Sequence, residues 1–307
     1  IVKLNEKYSA LSYERVFPEY KDKALGDKLG LADFYYIKLG TQQAAEAAQE
    51  FSKSPNVISA EQRYKEVLIT TKSFPSSGKV YQKNLPSSGK SAPAPHGLYP
   101  TDVLFKYQWY LENTGQNLTG LVPPTPHGEV GLPGADIKAP QAWRYYFSGT
   151  PPRNDTIIVN IVGLPAKINH EDLQANIVLL GGDHITNSPG SSDGTAASGV
   201  AAAVTNNSFG IASLCWTCKT NPRDAYYAIE EIIYATDHGA RVISLNFLTI
   251  LIYGGSAYQQ AVNYAHGHNV VVVAPAGLGG NRIWLPGALE NVISVGIDHN
   301  VKRVIAL

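Results

Sequence analysis

The stretch SSDGTAASGVAAA, residues 191–203, decides how the rest of the chain is read. A polar turn leads into a Gly-Thr pair and then an Ala-rich run of small side chains, the grain of a helix that packs close to its neighbours. Asp193 stands at its head, where a carboxylate accepts first-turn N–H bonds and faces the positive end of the helix dipole. Asp193 is therefore expected as an N-cap. An acid/base role is the lesser alternative.

Outward from this helix, strand and helix patterns alternate. TIIVNIVG (156–163), ARVISLNFL (240–248), NVVVVAPAG (269–277) and NVISVGID (291–298) read as buried strands. AYYAIEEIIYATDHG (225–239) and SAYQQAVNYAHGH (256–268) read as helices, with CKTNPRD as a short link ahead of the first. Continuous apolar strands joined by helical crossovers predict an α/β fold, a parallel sheet with helices on both faces. In such sheets, function gathers at the carboxyl ends of the strands.

The front of the chain is different. Within residues 1–70, LADFYYIKLG alternates like a strand, QQAAEAAQEFSKS forms helix, and NVISAEQRYKEVLI returns as turn plus strand, giving a small α+β domain. Residues 71–100 turn rich in Ser, Pro, Gly and Lys, with PSSGK at 75–79 and again at 86–90, and read as a linker. Residues 101–307 form the larger α/β domain.

Composition bounds the partners. Lys plus Arg (25) equals Asp plus Glu (25), so no basic field draws the chain to nucleic acid. No apolar run approaches the roughly eighteen residues that cross a bilayer, and IVKLNEKYSA lacks a signal-peptide layout, so no membrane partner is expected and any signal is already removed. Sequons at Asn117, Asn154 and Asn206 point to a secreted or extracytoplasmic protein.

Taken in order, several segments resemble the subtilisin-like serine peptidases with an inhibitor-type propeptide. DVLFKYQWYLENTGQ and GADIKAPQAW are similar to that family's opening segment, and KINHEDLQANIV to the turn after its first core strand. DGTAASGVAAAVTNN is similar to its histidine helix, HGARVISLNF and VVVVAPAGLGG to the next two core strands, and WLPGALENVISVGID to the segment after the oxyanion residue. The resemblance implies a subtilisin-like sheet, with the front domain as a propeptide-like partner seated intramolecularly on it.

The departures fall on the chemistry. Gly163 occupies the position of the triad Asp, Asp193 that of the general-base His, and Leu278 that of the oxyanion Asn. The chain reaches Leu307 before a Gly-Thr-Ser segment that would carry the nucleophile. A carboxylate with an ordinary pKa near 4 is a poor base for a serine proton at neutral pH. Loss of one oxyanion donor alone typically costs about 10²–10³ in rate. The expectation is a catalytically inactive relative with a binding, regulatory or structural role, its partner a peptide or protein; the alternative is a fragment or altered form of a secreted serine endopeptidase. Leu248 stands where the family keeps a Gly under the specificity pocket, which weakens peptide binding.

A metal loop is retained in the resemblance. TNNSFGI (205–211) matches the family's calcium loop, Asp172 its carboxylate, and Asp102 a ligand of the opening segment. The implied structural calcium ligands are the Asp102, Asp172 and Asn207 side chains and the carbonyls of Thr205, Phe209 and Ile211, an all-oxygen set suited to the ion.

Other signals read blandly. Cys215 and Cys218 lie where the family has extended strand, about 10 Å apart and beyond disulfide reach, and are expected as ordinary strand cysteines. His266 and His268 are expected in capping and surface roles. His170 and His184, near the degenerate site, are weak candidates for a replacement base.

Overall fold

The computed structural model describes residues 1–62, 98–118, 133–148, 157–181, 193–248, 255–277, 283–297 and 304–306. They gather in two compact units, one of residues 1–69 with 224–294, the other of 70–223 with 295–307.

In the first unit, α1 (Val2–Lys7) leads to β1 (Ala10–Arg15), which pairs antiparallel with β2 (Tyr35–Leu39), Tyr13 opposite Ile37. Between them α2 (Lys23–Lys28) is capped by Asp22, whose carboxylate accepts from Leu25 N at 2.9 Å. α3 (Ala44–Phe51) sets Ala47 and Phe51, one turn apart, onto buried Tyr8. This adds a strand that the sequence reading lacks, at 10–15 beside the 35–39 strand; the strand half of NVISAEQRYKEVLI, from Arg63 on, lies outside the described residues. ALSYER escapes notice because it is exposed nearly throughout and carries no apolar alternation.

The same unit holds α6 (Ala228–Asp237), β5 (Val242–Leu245), α7 (Gly255–Gly267) and β6 (Val271–Pro275). β5 and β6 run parallel, with Val242 opposite Val271. Gly239, at φ +90°, reverses the chain after α6, a conformation open to Gly at little cost.

The front segment sits directly on α6 and α7. Lys21 N donates to Asp237 Oδ2 at 2.8 Å, and Tyr36 Oη donates to Glu230 Oε1 at 2.8 Å. Tyr264 Oη accepts from Asp22 N at 3.0 Å and donates to Asp237 Oδ1 at 2.8 Å. A Cβ on Gly267 would stand 2.7 Å from Leu25 Cδ2, so that glycine leaves room for the Leu25 side chain. Burial pushes the Tyr264 phenol up, so it remains a neutral donor. Tyr264→Phe would strand the Asp22 N–H and one Asp237 oxygen. Urea unfolding is expected to show a loss of about 1–2 kcal/mol; an unchanged midpoint would mean that other contacts hold the segment.

The second unit holds α4 (Ala139–Ser148), β3 (Ile158–Gly163), α5 (Asp193–Ala202) and β4 (Lys219–Asp224). KTNPRD, read from sequence as a link, is therefore a strand. Its fixing is polar. Lys219 N donates to Ile157 O at 2.9 Å, and Asn221 Nδ2 donates to Asn160 Oδ1 at 2.6 Å, both amides fully buried. A strand held by buried amides has no apolar pattern to read. Leu111, Ala139, Trp143 and Ala212 form this unit's buried cluster, with Phe105, Phe147 and Trp216 packed on it.

β4 lies beside β3 within this unit, and β7 (Val292–Ile297) pairs antiparallel with β8 (Val304–Ala306), Val295 opposite Ala306. The α/β class expected from the sequence is the one observed. Among the described residues no helix is long and apolar enough to cross a membrane.

The cysteine reading is overturned. Residues 215–218 make a turn rather than extended strand, which brings the two Cα atoms to 5.4 Å, and Cys215 and Cys218 are disulfide-bonded.

Candidate functional site

β3 ends at buried Gly163, and α5 begins at Asp193. The two are neighbours because the helix head lies on the chain leaving the strand: a Cβ on Gly194 would stand 2.0 Å from Leu164 O and 2.8 Å from Pro165 O. Thr195 Oγ1, one residue on, accepts from Lys167 N at 2.9 Å and ties the helix to the same segment. The end of β3 and the head of α5 are thus held together.

The side chains at these two positions are a lone hydrogen at Gly163 and a carboxylate at Asp193. Gly163 can neither orient nor charge-stabilise a base. Asp193 is exposed, and its carboxylate accepts no hydrogen bond among the described residues. It is the first residue of α5 rather than the cap before it, so the expected N-cap bond is replaced by a charge in the first turn, still favourable to the dipole. His170 is engaged elsewhere, its Nδ1 accepting from Asp172 N at 3.1 Å. Leu278, His184 and sequon Asn154 lie outside the described residues. Leu248 follows β5 and is half-buried.

The candidate metal loop is a different matter. Asn206, Ser208 and Gly210 all take the left-handed conformation, at φ 64°, 62° and 55°, and curl residues 205–211 around Asp172. The fit is so close that a Cβ on Gly210 would lie 2.0 Å from Asp172 Oδ2. Asp172 accepts from Asn207 Nδ2 and from Ile211 N, both at 2.9 Å. Asp102 Oδ2 accepts from Asn206 N at 2.6 Å. Both carboxylates are buried, at 3% exposure for Asp172 and 4% for Asp102.

This arrangement is short of positive charge. Burial pushes both carboxyl groups above the usual carboxylate range, and the Asp172 charge raises Asp102 further. Asp102 Oδ1 is buried with no hydrogen-bond partner. An orphaned carboxylate oxygen beside a second buried carboxylate and a loop of carbonyls suits a hard cation. Thr205, Phe209 and Ile211 lie on the same curled loop. Asn207 departs from the reading, since its amide nitrogen faces Asp172 while Oδ1 accepts from Phe209 N at 2.8 Å. Ligation through its oxygen requires that amide to turn over. Among the described residues no group of three His, Cys, Asp or Glu gathers as a metal site, so any ion here would depend on the carbonyls.

Three residues around the loop were not legible in the sequence. Thr101 N donates to Asn206 Oδ1 at 3.2 Å, and Thr101 Oγ1 accepts from Ser208 N at 3.1 Å. Gln108 clamps Ala212, accepting from its N–H at 2.7 Å and donating to its carbonyl at 2.8 Å. Ser213, fully buried, bonds Thr205. Lone Thr, Gln and Ser side chains carry no spacing signal.

The remaining candidates stay peripheral. Asn117 and Asn206 are exposed, though the Asn206 side chain is occupied by Thr101. His266 is exposed in the last turn of α7; the His268 ring lies 4.7 Å from that of Tyr264, with Nε2 3.6 Å from Asp22.

Comparison with known proteins finds two relatives in sequence. Thermitase of Thermoactinomyces vulgaris is 38% identical over 188 residues, which cover 54% of this chain and 62% of thermitase. A thermophilic serine proteinase of Bacillus sp. (strain AK1) is 32% identical over 160 residues, covering 48% of this chain and 39% of the relative. The chain thus spans less than two thirds of either. Among solved structures, fervidolysin from Fervidobacterium pennivorans, described as a keratinolytic enzyme related to subtilisin, is similar with a TM-score of 0.54 at 21% identity, over 93% of this chain and 43% of that one. No family model matches the chain.

Proposed function

From the premise that this chain is related to the subtilisin-like serine peptidases and shares their fold, we propose that it is a non-catalytic, secreted relative which binds rather than cuts. The observation that carries the reading is the head of α5. Gly194 keeps it seated on Leu164 and Pro165, while the flanking positions hold Gly163 and Asp193 in place of an orienting acid and a base. A carboxylate does not do the work of an imidazole, which takes a serine proton and returns it to the leaving amine, and Gly163 has no side chain to hold or charge a base. The role left is peptide or protein binding, regulatory or structural, with the front segment as an intramolecular cap on α6 and α7.

A structural calcium ion belongs to the same reading. Asp102, Asp172, Asn207 and the carbonyls of Thr205, Phe209 and Ile211 would hold it; once bound, it would neutralise the paired carboxylates. Support comes from the orphaned Asp102 Oδ1.

The competing reading is an altered form or fragment of a secreted subtilisin-like serine endopeptidase, favoured by the 38% identity to thermitase. Active-site labelling with a fluorophosphonate probe, run beside a casein assay, separates the two. No labelled serine and no cleavage is the expected result, and mass spectrometry should find the chain uncut through residues 71–100. Stoichiometric labelling of one serine, or casein cleavage that follows the purified chain, would favour the peptidase.

A further inference from the structure

We propose that the Cys215–Cys218 disulfide is a reversible redox site that sets the calcium affinity of the 205–211 loop, tight when oxidised and weak when reduced. The inference rests on the calcium reading above.

Two chains of contact run from the stapled turn to the ligand set. On one side, the Cys215 carbonyl accepts from Ser213 Oγ at 2.9 Å, and Ser213 Oγ lies 2.9 Å from Thr205 Oγ1. Ser213 N also donates to Thr205 Oγ1 at 2.8 Å. Thr205 opens the ligand loop and is one of its carbonyl candidates. On the other side, Trp216, within the turn, packs against Trp143 at 5.4 Å and Phe147 at 5.1 Å between ring centroids. Trp143 in turn meets Phe105 at 5.9 Å, and Phe105 N donates to Asp102 O at 3.1 Å. The turn therefore fixes both the loop and the segment that supplies Asp102.

The ends of the turn are anchored apart from the disulfide: Leu214 O accepts from Trp143 Nε1 at 2.8 Å, and Lys219 N donates to Ile157 O at 2.9 Å. Between those anchors the backbone bond across the turn, from Cys218 N to Cys215 O, is long at 3.4 Å. The covalent link therefore limits where the Cys215 carbonyl can go, because the chain between the sulfurs is short and closed. Reduction removes that tie. The Cys215 carbonyl, the acceptor of Ser213 Oγ, is then free to shift, and the Ser213–Thr205 contact with it.

The chemistry balances as dithiol exchange. Cys215 is partly exposed and Cys218 is 4% exposed, so an external dithiol meets Cys215 first. Its thiolate attacks Cys215 Sγ, the Cys215–Cys218 bond breaks, and Cys218 leaves as a thiolate that takes a proton. The second thiol of the reductant resolves the mixed disulfide, leaving Cys215 reduced and the reductant oxidised to its own disulfide, two electrons and two protons having passed to the protein. A dithiol such as dithiothreitol supplies both.

Calcium titration by calorimetry of the full chain, oxidised and then held in dithiothreitol, is the test. The oxidised protein is expected to bind calcium roughly tenfold more tightly than the reduced one, within the usual range for coupled sites. The double variant Cys215→Ser/Cys218→Ser should bind like the reduced protein and ignore the reductant. Ser213→Ala keeps the disulfide but cuts the link to Thr205, so its affinity should fall towards the reduced value and its response to dithiothreitol should shrink. Circular dichroism confirms that each form is folded. Equal calcium affinity in the oxidised, reduced and variant proteins would overturn the redox coupling while leaving the calcium reading intact. Absence of calcium binding in every form would overturn the calcium reading, and the coupling with it.

Discussion

Calcium at a hundredfold excess over its Kd is expected to raise the melting temperature of this protein by roughly 3–6 °C, and chelator to reverse the rise. A ligand that binds only the folded state adds RT ln(1 + [Ca²⁺]/Kd), about 2.7 kcal/mol at that excess. The folded state alone offers the site. Asp102, Asp172 and Asn207 come from segments distant in sequence, and only the curled 205–211 loop brings them together. Asp172→Ala should abolish the calcium shift. It should also lower stability in chelator by about 1–3 kcal/mol, because Asn207 Nδ2 and Ile211 N lose their acceptor. The two effects separate cleanly, since only the difference between calcium and chelator reports the metal. Melting that ignores calcium and chelator alike would reduce the loop to a hydrogen-bonded turn.

The contrast between what the sequence revealed and what it hid follows from where the information lies. β5, β6 and α6 were legible because their burial is apolar: Ile243, Leu245, Val272, Ile232 and Ile233 are all buried within the segments read as strands and helix. β4 was hidden because its buried side chains are polar, Asn221 and Arg223 held by hydrogen bonds to Asn160 and to Gly181 O, for which composition gives no sign. β1 was hidden for the opposite reason, being too exposed to need a pattern. At the candidate site, the positions of Gly163, Asp193 and the 205–211 loop came from ordered resemblance and not from residue chemistry. That is why their setting had to come from three dimensions: Asp193 inside α5 and not capping it, Asn207 turned amide-first towards Asp172, and an orphaned oxygen on Asp102. The disulfide was misjudged on one local assumption. Extended strand was assumed for residues 215–218, and a turn shortens the Cα separation to 5.4 Å.

Gly194→Ala is expected to cost at least about 3 kcal/mol, more than any other single methyl added to α5. Its Cβ would fall 2.0 Å from Leu164 O and 2.8 Å from Pro165 O, both backbone atoms that cannot swing aside as a side chain would. Relief requires the helix head to lift from the chain leaving β3, which would also stretch the 2.9 Å bond from Lys167 N to Thr195 Oγ1. Gly199→Ala is the internal control. There the nearest atom is Ile211 Cδ1 at 3.2 Å, the end of a side chain that can yield. Ala also gains about 1 kcal/mol of helix propensity over Gly, so this variant should unfold close to the parent. Urea midpoints of the two variants decide it. A parent-like midpoint for Gly194→Ala would mean that the α5 head does not rest on residues 164–165. A large gap between the two would tie the stability of this unit to the close approach that brings positions 163 and 193 together.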